Sequence, residues 1–213
     1  MRTFFLGCLG LLLASCASLA AYDVLYFQPA LTRTRTLIKQ HPESDRSPPP
    51  LFAQLLTFTA HGDTVPYATR LVMASSDPEG SVKPTWAWQA RYATWNQLVV
   101  LHTSESERTA MIASLGFRAE PEHGLTDVTR RRFGKEPRQL SSLQLAMLAK
   151  LLVLGPNQLS EAQLANHAAY LLDIFDQHLT PSPRRTPGPS VLPSTDTQKK
   201  SPREAGFFQV AQW

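Results

Sequence analysis

The chain has 213 residues, 43% hydrophobic and 18% charged, with a formal net charge of +4 and a pI near 9.3. That length supports one domain with a real core and excludes two large ones. The basic balance favours anionic partners such as lipid headgroups or pyrophosphates, with a solvated basic surface as the alternative, and no nucleic-acid partner is expected.

Residues 1–27, MRTFFLGCLGLLLASCASLAAYDVLYF, hold no charge between Arg2 and Asp23. That span is about the 20 residues a bilayer-crossing helix needs. One reading is a single uncleaved anchor from about Phe4 into Tyr22; the other is a secretory signal with a small-residue cleavage site. Leu13-Ala14-Ser15-Cys16 resembles the bacterial lipobox, in which Cys16 would be lipidated and Cys8 lost with the signal, leaving no pair for a disulfide. Both readings place the rest of the chain at the periplasmic face of a bacterial membrane.

Residues 28–50, QPALTRTRTLIKQHPESDRSPPP, are polar, basic and proline-terminated, which predicts a stalk. The TRTRT run within it suits either a solvated linker or a headgroup-binding strip.

A mainly α-helical domain is predicted over 51–179. Leu51–Ala60 is a short apolar segment closed by His61-Gly62-Asp63. Thr85–Leu101 spaces Trp86, Trp88, Trp95, Leu98 and Leu101 as one buried helix face. Ser104–Leu115 opens on Ser104 with Glu107 three residues later, a capping-box pattern. Ser141–Leu154 is apolar and stops at Gly155-Pro156, and Ser160–Leu179 has Ser160 as its predicted N-cap. No alternating strand pattern of any length competes with these. Residues 180–213 are rich in Pro, Ser and Thr and form a predicted disordered tail, ending in the apolar FFQVAQW.

Residues 124–156, GLTDVTRRRFGKEPRQLSSLQLAMLAKLLVLGP, carry a more specific signal. Gly124, Phe133-Gly134-Lys135, Leu140-Ser141, Ala146, Leu148, Ala149 and Pro156 fall in register with one family pattern. The run resembles the peptidoglycan glycosyltransferase domain of penicillin-binding proteins, the family 51 transglycosylases, and NHAAYLLDIFDQ at 166–177 looks like that family's closing helix. Arg132 stands at the family's tyrosine, Val128 and Thr129 at small residues, and Gln144 at its usual glutamate. The resemblance implies a single lysozyme-like helical domain that handles lipid II, the polyprenyl-pyrophosphate-linked cell-wall precursor.

Catalysis in that family uses a general-base glutamate in a Glu-Asp-x-x-Phe-x-x-His-x-Gly segment, and a second glutamate in Arg-Lys-x-x-Glu, with a divalent metal. Ungapped placement puts Thr59-Ala60 at the first position and Trp86 at the second, with Lys83 at the preceding lysine. Neither Thr59 nor Trp86 accepts a proton at neutral pH. Loss of a general base costs about 10²–10⁴ in rate. The substitutes within reach are His61 with Asp63, and Glu105 and Glu107, although His61 and Asp63 also suit a turn and Glu107 a cap. Arg130, Arg131, Arg132, Lys135 and Arg138, with Lys83, are the candidate substrate-binding cations, since guanidinium groups suit pyrophosphate or anionic lipid; a solvated helix end is the plainer reading. No metal-ligand cluster or Gly-rich phosphate loop is present in the sequence. The resulting expectation is a catalytically impaired transglycosylase-like protein that binds lipid II, a glycan strand or a cell-wall synthase. An active transglycosylase with displaced groups and a non-enzymatic lipoprotein scaffold are the alternatives.

Overall fold

The computed structural model describes residues 2–76, 85–117, 124–154 and 160–179, with side chains from residue 9 onward. All the regular secondary structure described is helical, with no strand among these residues.

Helix α1, Arg2–Tyr22, runs through a π-helical turn, Asp23–Phe27, into α2, Gln28–Gln40, without a break. Pro29 explains the turn. It cannot donate to the carbonyl of residue 25, and its ring crowds that carbonyl, so the backbone widens just before it and Gln28 N–H donates to Asp23 O instead. The apolar part of this continuous helix from Leu9 is unburied, and long enough to cross a bilayer as an anchor or signal sequence would.

The segment 28–50 is not a stalk. Ala30, Leu31, Thr34 and Ile38 recur at helical spacing and are buried against α5, Val65–Ser76, and α7, Glu105–Leu115. The arginines and threonines that give the stretch its linker-like composition serve the packing. Thr34 Oγ1 lies 2.6 Å from Ser75 Oγ, and Arg35 Nε donates to Glu107 Oε1 at 2.6 Å while its Nη2 donates to the His102 carbonyl at 3.0 Å. The core therefore begins at Phe27, well before Leu51.

α6, Trp86–His102, packs on α5 through Trp95, Leu98 and Val99, while Trp86 and Leu101 of the predicted buried face stay outside. The short α3, Glu43–Arg46, joins α7 to α8, Leu125–Phe133. A second group forms from α4, Pro50–Thr59, α9, Ser142–Leu154, and α10, Glu161–Leu179. Gly116 lets the two groups approach, since a Cβ there would sit 2.7 Å from Leu152 Cδ2.

Helix starts follow the sequence closely. Ser141 with Gln144, and Ser160 with Gln163, exchange backbone and side-chain hydrogen bonds as full capping boxes. Gln144 thus fills the role an acidic residue would hold. At Ser104 only half the box exists. Glu107 N–H donates to Ser104 Oγ at 3.1 Å, but the Glu107 carboxylate turns to Arg35.

Leu31 separates a packed helix from a stalk. Leu31→Ala should cost about 2–5 kcal/mol of stability, as for other buried leucines, read by denaturant unfolding of the full chain in detergent. A stalk leucine would cost almost nothing.

Candidate functional site

The α4–α9–α10 group encloses an open groove of about 1380 Å³, closed at one end by the start of α7 and the end of α3. Its walls are mainly apolar, built from residues such as Phe58, Leu154, Ile174, Phe175 and Leu179. Phe58 and Phe175 meet edge to face at 5.4 Å, and His178 lies 5.8 Å from the Phe58 ring. Polar side chains, among them Gln54, Thr57, Ser106 and Thr109, interrupt these walls. Arg46, His61, Lys150 and His178 bring basic character, and among the described residues Glu105 is the single acidic one lining the groove.

Lys150 is the lone charge in the apolar helix α9, and partial burial lowers its pKa. Its ammonium therefore gains from an anion placed beside it. Arg46 owes its place to the residue before it. Asp45 is wholly buried and accepts from Thr126 N–H at 2.8 Å and from the Thr126 hydroxyl. It thereby caps α8 from another helix, because the N-cap there, Gly124, has no side chain to do so. Gly124 is required, since a Cβ would lie 2.2 Å from Asp45 Oδ2. His41 Nδ1 lies 3.6 Å from that same oxygen, and Ser44 Oγ 2.7 Å from Thr126 Oγ1. Burial is the largest influence on the Asp45 carboxyl and raises its pKa, against the lowering effect of the Thr126 hydrogen bonds.

The sequence-predicted residues divide. His61 and Glu105 both line the groove. His61 has φ 55°, the left-handed position that ends α4, and Gly62 N–H closes the turn on Thr57 O at 2.8 Å. Glu105 Oε1 accepts from Thr57 Oγ1 at 3.3 Å. Thr59 also lines the groove, with its hydroxyl donated to Leu55 O at 2.7 Å. Asp63 instead accepts from Val65 N–H at 2.9 Å, starting α5, and Glu107 is held by Arg35. Trp86 is exposed on α6, away from the groove. Arg130, Arg131, Arg132, Lys135 and Arg138 are exposed at and beyond the end of α8, outside the groove, and Arg130 Nε pairs with Glu136 at 2.7 Å. Lys83 and Pro156 lie outside the described residues. Cys16 is exposed on α1.

Lys150, Arg46 and His178 were missed by sequence reasoning. Lys150 did leave a signal, as the one charge in SLQLAMLAKLLVL. Among the described residues, no three His, Cys, Asp or Glu side chains gather as a metal site. No protein-family model, curated protein or solved structure matches the chain.

Asp45 gives the fold a pH signature. Its folded pKa lies above its unfolded value, so the folded state holds the extra proton between the two. Its contribution is most favourable below about pH 4 and is lost as pH rises through the raised folded value. Asp45→Asn removes that titration while keeping an acceptor for Thr126. Melting curves from pH 4 to 7 should show the stability difference between Asp45→Asn and wild type moving in favour of the variant as pH rises. A constant difference would mean that Asp45 does not titrate in this window.

Proposed function

We propose that the chain is a membrane-tethered, lysozyme-like relative of the family 51 transglycosylases that binds lipid II without polymerising it. The observation that carries this reading is the chemistry of the groove. Apolar walls beside Lys150 and Arg46, with one carboxylate, suit a molecule that joins a long hydrocarbon to a pyrophosphate. They do not supply the paired carboxylates that glycosyl transfer uses in the family.

A second placement of the family's first catalytic segment leads to the same result. His41 falls at the histidine of the Glu-Asp-x-x-Phe-x-x-His-x-Gly segment in this placement, with Glu43 at its glycine. Seven residues before His41, at the glutamate position, stands Thr34. It is fully buried against Ser75, with its hydroxyl donated to Ala30 O. Thr59 and Thr34 are alike in lacking a group that takes a proton. The contact of Asp45 with Gly124 and Thr126 also joins this segment to the run that carries the strongest resemblance.

A second reading has one observation in its favour. Glu105 and His61 both line the groove, so an active enzyme would have to use them as displaced acid–base groups. A scaffold that engages only a cell-wall synthase would show no affinity for lipid II.

Full-length protein in detergent, given labelled lipid II and a divalent ion beside an authentic transglycosylase, should form no glycan above a no-protein control. It should bind the same lipid II saturably, and Lys150→Met should weaken binding about tenfold or more, the usual worth of a charge-assisted hydrogen bond. Glycan chains that disappear with Glu105→Gln would establish the active reading instead. Lack of binding with no chains would leave the scaffold.

A further inference from the structure

The outward face of α6 breaks the usual rule for a surface helix. At 100° per residue, Trp86, Ala90, Ala93, Gln97, Val100 and Leu101 share one stripe about 100° wide. All six are exposed, with Trp86 at 84%, Leu101 at 73% and Val100 at 56%. No charge stands among them, whereas the solvent face of a water-facing helix is normally charged. The charge nearest the stripe, Arg91, is turned inward, stacked 4.3 Å over the Trp95 ring and donating to Ser76 Oγ at 2.8 Å.

The same helix is bolted to the exit of α1. Trp95 Nε1 donates to Tyr22 Oη at 3.0 Å, and Phe27 packs edge-on against Trp95 at 5.4 Å. His102 Nε2 lies 2.9 Å from Asp23 Oδ2, and its Nδ1 lies 3.2 Å from Gln28 Nε2. On the turn that carries Asp23, the apolar residues Val24, Leu25 and Tyr26 remain exposed. The exposed apolar residues of the N-terminal helix thus end next to the helix that carries the uncharged stripe, which is held to them through its inward face.

We propose that the outward face of α6 lies in the interfacial layer of the bilayer, so that the domain rests on the membrane by this helix as well as by α1. The partner is a lipid surface. Trp86 suits the headgroup level, and Val100 and Leu101 the boundary with the acyl chains. The inference rests on the reading of α1 as a membrane anchor.

The test uses the full chain with Cys8→Ser and Cys16→Ser, labelled with an environment-sensitive fluorophore at one introduced site: Leu101→Cys on α6, Leu19→Cys on α1 or Tyr170→Cys on α10. Each labelled protein is reconstituted into phosphatidylglycerol/phosphatidylethanolamine vesicles, with and without doxyl-labelled lipid. The Leu101 and Leu19 probes should both be quenched about twofold or more by the doxyl lipid, as expected for residues at acyl depth, and the Tyr170 probe should be unaffected. Quenching at Leu19 without quenching at Leu101 overturns the α6 proposal and leaves the anchor standing. A blue-shifted but unquenched Leu101 probe also overturns it, since protein would then cover the face: a second copy or residues 180–213. No quenching at Leu19 removes the anchor reading, and this inference with it.

Discussion

The apolar N-terminal helix enters the core without ever stopping. Phe27 and Leu31 are fully buried four residues apart, and between Tyr22 and Arg35 the helix is fastened to the domain by Trp95, His102 and Glu107. A stalk would let the domain swing freely, whereas these contacts fix its orientation to the N-terminal helix. The π turn at Asp23–Phe27 belongs to the same device. It accommodates Pro29 and leaves Asp23 and Phe27 facing α6. Because α2 also underlies α5 and α7, the placement of those helices follows from this one joint.

The groove depends on a second joint, the buried Asp45. By capping α8 from α3 it holds the segment that ends in Arg46 at the groove's edge. The proposed separation of binding from catalysis rests on the chemistry of the groove. A half-buried ammonium in an apolar wall, Lys150, favours an anion with a hydrocarbon attached. Proton transfer needs an acceptor of suitable pKa held at the reacting oxygen. Thr34 and Thr59, which the proposed resemblance would place at the general base, donate their hydroxyls within their own helices, to Ala30 O and Leu55 O.

What could be read in advance was local. The N-caps at Ser104 and Ser160 depend on neighbours within one helical turn and are written in short spacings. Residues 28–50 misled because composition outweighed periodicity. Ala30, Leu31, Thr34 and Ile38 do form a helical stripe, but threonine and arginine around them resemble a linker until Ser75 and Glu107, far away in sequence, become their partners. On α6, aromatic content suggested burial, yet the tryptophan at its start faces outward and the one in its middle inward. His61 and Glu105 were identifiable as candidates by residue type. Their sharing a wall with Lys150 and His178 depends on how α4, α7, α9 and α10 pack, which no local pattern records.

We propose that the hydrocarbon of a polyprenyl pyrophosphate lies between α4, α9 and α10. Photo-crosslinking with a benzophenone-bearing polyprenyl-pyrophosphate analogue, followed by peptide mapping, tests it most directly. The account requires adducts on peptides containing Leu154, Ile174 or Leu179 that unlabelled lipid II competes away. Competable adducts confined to the arginine cluster at the end of α8, or no competable adduct at all, would contradict it.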